Sequence, residues 1–403
     1  MTSIKIGIIR EGKTPPDRRS PFSPQQCAQL QRQYPGLKFI VQPSEIRCYK
    51  NNEFESEGIL IQEDLSAAEI IFGVKEVPIE KLLYNKHFFF FSHTHKFQEY
   101  NRPLLQAAVK KQIQLTDYEC LTFEDGRRIL GFGRFAGLIG AYLAMKAWGA
   151  KHQTFQLPLP QECSGLENMF HQLKDNVNFG QPIKIYITGR GRVAKGIREI
   201  LSLLNIAEVD AKSFAEKTFE ETVFTNLDTN AYYQHQEAQP FTTSALTKNP
   251  EQFRSTFTEV AQHADIIITG HFYDSKWPKL IEQAQRTAYQ RLKVLADISC
   301  DIADPIPFTL RPSTLADPFY DVDPESLEEK PAFSAGSLTV MAVDNLPGAL
   351  PKDASEDFGK SIATDIIPLL LKSDEARLID KASICKDGKL NAPFQYLQRW
   401  LNK

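Results

Sequence analysis

An α/β fold in two domains is predicted by three observations. The chain has 403 residues, more than a single hydrophobic core usually serves. Short β-rich apolar runs alternate with helical stretches, the rhythm of right-handed β-α-β units. Those runs are apolar on successive residues, which suits strands buried on both faces of a parallel sheet. The expected architecture is α/β, with two domains built on parallel sheets that flank a cleft.

The first domain reads as follows. IKIGII (4–9), KFIVQ (38–42), EIIFGV (69–74), HFFFFS (87–92) and QIQLTDY (112–118) are strands. Residues 23–34 are a helix, with Ser23 placed to cap it and Pro24 at its first position. Residues 97–110 are another. The stretch FAGLIGAYLAMKAWGA (135–150) is apolar almost all round, so it should be buried, here between the two domains.

A second sheet begins near residue 182. PIKIYITGRGRVAKGIREILSLLNIAEVDA (182–211) is strand, glycine loop, helix, strand. ADIIITG (264–270), KVLADIS (293–299) and SLTVMAV (337–343) continue it. Residues 300–335, rich in Pro and Asp, read as loop. Helices at 354–372 and 392–402 should return to the first domain. The expected division is 1–134 plus 350–403 for a substrate-side domain and 135–349 for a dinucleotide-binding one.

Composition narrows the function. Charged residues make up 24% and net charge is −3, so nothing calls for a nucleic-acid or membrane-surface partner. The six cysteines are scattered, with no pair at a metal-ligand or redox spacing, so no metal is expected and a reducing compartment fits. No apolar run approaches the ~18 residues that span a bilayer, and MTSIKIGIIREG has no apolar leader core. A soluble cytoplasmic protein is expected.

IYITGRGRVAKG sets Gly189, Gly191 and Ala194 in a G-x-G-x-x-A pattern between a strand and a helix. The first glycine permits a tight turn, the second lets backbone approach a pyrophosphate, and the third small residue lets helix and strand pack closely. Arg192 and Val193 open the helix whose free amides would meet phosphate. Asp210, about 20 residues on, stands where a ribose diol would be held, and Gly270 ends the neighbouring apolar run. These are the expected cofactor residues of a Rossmann-like domain. The cofactor expected is NAD, with NADP as the alternative because Lys212 offsets the Asp210 charge.

In an open parallel sheet, ligands bind beyond the carboxyl ends of the strands. The apolar runs end there at Arg10, Lys75 and His93. Lys75 and His93 are candidates for proton transfer, and Arg19 and Arg128 for pairing with carboxylates. Each has a bland reading too, as a capped or solvated strand-end group.

The blocks EGKTPPDRRSPFSP, GVKEVP, FFSHTHKFQEYNRPLL, LTDYE, RRILGFGRFAGLIG, LADISCDIADPIPF and VMAVDNLPGALPKDASEDFG closely resemble saccharopine dehydrogenases. They resemble equally the lysine–2-oxoglutarate reductase half of the bifunctional enzyme. More distantly they resemble alanine dehydrogenase and the transhydrogenase NAD-binding subunit. The resemblance covers essentially the whole chain. It implies two Rossmann-like domains and reversible, NAD(P)-dependent cleavage of saccharopine to L-lysine and 2-oxoglutarate, with those three as substrates. Lys75 and His93 match the acid–base lysine and histidine. Arg19 and Arg128 match arginines near the substrate, and Asp344 in VDNLP matches an aspartate at the domain junction. His95 is expected to be a bystander. With one enzyme half in the chain, one step rather than two is expected. Two rivals stand beside this reading: an alanine-dehydrogenase-like oxidoreductase on a simpler amino acid, and a nucleotide-binding homologue without turnover.

Overall fold

The structure is a computed structural model that describes residues 4–14, 16–372 and 374–403. It separates into two compact units, Met1–Phe132 with Pro351–Lys403, and Gly133–Leu350.

In the first unit, eight strands form one sheet in the spatial order Lys389–Leu390, Ser383–Lys386, Gln114–Asp117, His87–Phe90, Ile70–Phe72, Ile4–Ile8, Leu37–Val41, Leu60–Ile61. The six strands that come first in the chain are parallel to their neighbours. Ile4–Ile8 lies between the strands that follow it on either side, so the switch point falls at its carboxyl end. Both C-terminal strands run antiparallel. The sheet is therefore mostly parallel, with an antiparallel edge absent from the apolar-run pattern.

Local chemistry explains these elements. The helix Pro24–Gln33 starts on a capping box, Ser23 with Gln26, and has Pro24 at its first position. Phe88, Phe89 and Phe90 are fully buried in a core that also takes in Phe22, Phe39 and Phe72. His87 opens that strand; its ring nitrogen bonds Thr116 Oγ1 at 2.8 Å, and burial lowers it to about 3. The predicted helix 354–372 is Pro351–Ser361, a π-turn over Ile362–Ile366, then Ile367–Leu371. Pro368 brings no amide to the ladder and crowds the carbonyl a turn back, which accounts for the widened turn.

In the second unit the order is Glu329–Lys330, Phe319–Val322, Leu338–Met341, Val294–Asp297, Ile266–Thr269, Lys184–Thr188, Val223–Leu227, Ala207–Glu208. The stretch expected to be loop, 300–335, carries two of these strands, both antiparallel. FYDV between Pro318 and Pro324 is β-prone, but the surrounding Pro and Asp masked it. A separate hairpin pairs Tyr233–His235 with Phe253–Ser255.

The apolar helix Gly133–His152 belongs to this second unit. It crosses Arg192–Leu203 by backbone contact. A Cβ on Gly137 would lie 2.0 Å from Val193 O, and one on Gly196 would lie 2.1 Å from Arg134 O. Backbone cannot swing aside as a side chain can. Gly196→Ala should therefore cost about 1–3 kcal/mol by forcing the helices apart. Urea unfolding checks this, and a midpoint equal to wild type would refute the close crossing.

Candidate active site

Past Phe72 and Phe90 the first sheet opens into loops that carry charge. Lys75 follows the Ile70–Phe72 strand. Burial first, then the positive Arg19 and Lys13, hold its ammonium below the ordinary lysine value. Among the described residues no carboxylate is within ion-pair distance of its Nζ. A lysine so placed gives up its proton more readily than a free one.

His93 sits at φ 53°, in the left-handed region, where the chain leaves its strand. Its amide donates to Asp117 Oδ2 at 2.9 Å. Its Nδ1 lies 2.8 Å from Glu76 Oε1, and Glu76 Oε2 takes Lys13 Nζ at 2.8 Å. Burial pushes the Glu76 carboxyl up, but these two hydrogen bonds outweigh it and bring it down to about 2. A carboxylate can only accept, so Nδ1 carries the proton and Nε2 is left to exchange one.

Arg19 and Asp17 form a buried bidentate pair at 3.0 and 2.5 Å, and the guanidinium lies 4.1 Å over the Phe132 ring. Arg128 is more than half exposed and pairs with Glu119 Oε1 at 3.2 Å. Glu119 also takes Lys96 at 2.5 Å. His95 lies between Asp117 and Glu119, at 3.7 and 3.5 Å. The first unit thus gathers Lys75, His93, Arg19 and Arg128 on loops beyond the carboxyl ends of one sheet. The acids Glu76 and Glu119 went unread in the sequence. The one available signal was that Glu76 adjoins Lys75 in GVKEVP.

Ligand atoms of His95, Asp117 and Cys120 lie within 4.8 Å of one another. Their chemistry does not suit a metal. Asp117 already accepts from Ser92 N, Ser92 Oγ, His93 N and Glu119 N, and burial pushes the Cys120 thiol up, away from thiolate.

In the second unit the glycine loop joins Lys184–Thr188 to the helix Arg192–Leu203. Gly189 has φ +82°, and a Cβ there would come within 2.5 Å of Gly270 O. Its amide donates to Leu227 O, and Asn226 Nδ2 donates to its carbonyl. A Cβ on Gly191 would meet nothing within 4 Å, so the loop faces open space where the helix amides begin. Arg192 and Val193 form the first turn, with the Val193 carbonyl turned to Gly137. Gly270 closes against Thr188 O and Ala194 N. These residues fit a pyrophosphate.

Asp210 is placed differently from the expectation. It caps the helix Ala211–Glu216 through Ser213 N, is fully exposed, and follows the edge strand Ala207–Glu208. That strand pairs with Val223–Leu227, not with the glycine-loop strand. Counting along the chain cannot tell which strand returns to the centre. The neighbour of the loop is Val223–Leu227, so the acid beside Gly189 is Asp228. Asp344 is exposed, just past Leu338–Met341 in the second unit.

Two mostly parallel sheets, one bearing a glycine loop and one a lysine–histidine edge, define an α/β architecture of two Rossmann-like units. The L-alanine dehydrogenase structure shares this fold, with a TM-score of 0.65, 15% identity, and 99% of this chain and 100% of that chain covered. Residues 7–139 match the alanine dehydrogenase/PNT N-terminal domain. An α-aminoadipic semialdehyde synthase of Arabidopsis thaliana is 26% identical over 98% of this chain and 41% of its own length. A saccharopine dehydrogenase (NAD+, L-lysine-forming) of Emericella nidulans is 27% identical over 92% of this chain and 93% of its own. The chain spans about two fifths of the Arabidopsis protein. Residues 7–139 are thus similar to the alanine dehydrogenase/PNT N-terminal domain, and the chain is similar along most of its length to L-lysine-forming saccharopine dehydrogenases and to semialdehyde synthases.

The Asp17–Arg19 pair is nearly sealed, each side chain 3% exposed. Asp17→Asn should cost about 3–5 kcal/mol, because it strips a buried cation of its counter-charge. Denaturant unfolding tests this; a loss under about 1 kcal/mol would mean that water reaches the pair.

Proposed function

We propose that this protein is a saccharopine dehydrogenase of the L-lysine-forming kind. Saccharopine, NAD+ and water give L-lysine, 2-oxoglutarate, NADH and a proton, and the reaction runs in both directions. The observation that carries the reading is an amine of lowered proton affinity, Lys75, on the same loop edge as a histidine whose tautomer Glu76 fixes. Homologues named for this reaction, matched over nearly their whole length, support it. The two units take separate parts: Met1–Phe132 with Pro351–Lys403 carries the proton-transfer groups, and Gly133–Leu350 the dinucleotide loop.

The chemistry asks for two proton-transfer steps. The secondary amine of saccharopine must lose its proton before an imine can form, and Lys75 takes it. Water then adds to the imine carbon, and His93 Nε2 receives and returns the proton while Glu76 stabilises the ring. Arg19 and Arg128 supply positive charge for a substrate rich in carboxylates, with Asp344 as a further substrate contact. Bound NAD would accept hydride, held by Gly189, Gly191, Arg192, Val193 and Gly270. Among the described residues no helix is long and apolar enough to cross a membrane.

Oxidation of reduced nicotinamide should require L-lysine and 2-oxoglutarate together. The likeness to L-alanine dehydrogenase makes pyruvate with ammonia the necessary control. Equal turnover with that pair would favour the simpler amino acid. No turnover with either pair, alongside tight dinucleotide binding, would favour a non-catalytic homologue. Lys75→Met and His93→Gln should each lower turnover by about 10²- to 10⁴-fold without unfolding the protein.

Cofactor choice follows from the sheet order. Asp228, beside the glycine loop, should hold the ribose diol and repel a 2′-phosphate. Asp228→Ser should cut kcat/KM with NADH about tenfold and improve that with NADPH. Asp210→Ala should leave both within about twofold, since Asp210 sits past the outer strand. The opposite pattern would return the ribose to Asp210.

A further inference from the structure

We propose that Glu11 is the positioning residue for Lys75: its carboxylate grips the two amides of the turn that carries the lysine, and so fixes where the amine stands. The inference rests on the proton-transfer role given to Lys75 above.

The need for such a residue comes from the end of the sheet. The ladder between Ile4–Ile8 and Ile70–Phe72 ends with Ile9 N donating to Phe72 O at 3.0 Å. Gly73 N still donates to Phe89 O at 2.9 Å. Val74 and Lys75 are the next amides, and no strand remains to take them. An amide left unpaired inside a protein costs about as much as a lost hydrogen bond. Glu11 supplies both acceptors: Oε1 takes Val74 N at 2.7 Å and Oε2 takes Lys75 N at 2.8 Å. The turn is fixed at other points as well. Tyr118 Oη donates to Gly73 O at 2.9 Å, and Phe91 N donates to Val74 O at 3.0 Å. A Cβ on Gly73 would stand 3.0 Å from Ile9 Cγ2, so the Glu11 segment packs directly on the turn. The backbone groups of Gly73 and Val74 and the amide of Lys75 are therefore all held, and two of the contacts belong to one side chain.

The surroundings make this grip sensitive to charge. Asp17 and Arg19 face Glu11 from its own loop, Arg47 from the loop after Leu37–Val41, Tyr118 from the loop after Gln114–Asp117, and Lys75 from the turn itself. Burial outweighs the two amides and raises the Glu11 carboxyl to about 7. Ionised, it accepts both amides with full charge. Protonated, its hydroxyl oxygen is a poor acceptor and one amide loses its partner. The lysine turn should thus be tight above neutral pH and looser below it. For stability the sign is opposite: the unfolded chain ionises near 4.5, so folding loses free energy as pH rises from there through about 7.

Two measurements test the proposal. In the wild-type protein, the amide proton resonances of Val74 and Lys75, selectively labelled with ¹⁵N, should titrate together with a midpoint near about 7. That transition should vanish in Glu11→Gln. Glu11→Gln should also lower kcat by ~10²-fold, the usual consequence of misplacing a catalytic group by about 1 Å, with the KM for the dinucleotide within about twofold. Glu11→Asp keeps the charge but reaches one amide at most, and its kcat should fall between the two. Amide resonances that stay flat across neutral pH would overturn the proposal even if Glu11→Gln fails to fold. So would a folded Glu11→Gln with a lower melting point and unchanged kcat, the mark of a merely structural clamp. The resonance titration does not depend on which substrate turns over. A positive titration with no lysine-dependent turnover would sink the substrate reading and leave the grip standing; the reverse pair would sink the grip alone.

Discussion

A buried aspartate at the end of a strand is the interaction on which each unit depends. Asp117 is the last residue of Gln114–Asp117 and is fully buried. It accepts from Ser92 N, Ser92 Oγ, His93 N and Glu119 N. Asp297 ends Val294–Asp297 in the second unit, is equally buried, and accepts from Thr269 Oγ1, Ser299 Oγ, Cys300 N and Thr309 Oγ1. A lone carboxylate in such a place would be prohibitive. Four donors make it tolerable, and they come partly from the aspartate's own loop and partly from the neighbouring strand or its loop. The cost of burying the charge is offset only if the loops hold one shape. This is why His93 can keep a left-handed backbone, which a residue with a Cβ adopts only when its surroundings insist.

Around Lys75 the charges are arranged in near-neutral couples, Asp17 with Arg19 and Glu76 with Lys13 and His93. Among the described residues around it, Lys75 is the group left without a couple. Asp17 and Glu76 do pull its proton affinity up, but burial, Arg19 and Lys13 outweigh them. Glu76 shows the converse balance: burial opposes its charge, and two donors overcome it. The loops push the proton affinities of these two neighbours in the same direction by opposite means, giving hydrogen-bond partners to the carboxylate and withholding them from the amine.

What the sequence disclosed follows from what a pattern can hold. Strands with three or more consecutive apolar residues, such as Phe88–Phe90 and Ile266–Ile268, announce themselves because both faces are covered. Leu60–Ile61 and Glu329–Lys330 are two-residue edge strands and leave no such trace. The glycine loop was legible because its residues are consecutive and its chemistry is backbone chemistry. Which acid stands beside that loop was not, because it depends on which strand returns next to the loop, and a short outer strand intervenes between Arg192–Leu203 and Val223–Leu227. Lys75 and His93 could be read as strand-end groups. Their partners Glu76 and Glu11 could not, since both look like ordinary acids near a turn.

The two units put the same feature of an open sheet to different uses. At a switch point, loops diverge and backbone amides are left pointing into a crevice. In the second unit those amides open the helix Arg192–Leu203 beyond a glycine with no side chain over it, so an anion from outside can meet them. In the first unit the corresponding amides, at Val74 and Lys75, are already met by an anion from the chain itself, Glu11. A self-supplied carboxylate removes the phosphate-binding capacity of that switch point and turns its rigidity to another end. The turn can then present a lysine whose proton affinity burial and its cationic neighbours lower. One topology thus yields a place whose open amides fit a ligand's negative charge and a place that holds a buried amine, and the difference lies in whether the strand-end amides are left open or filled.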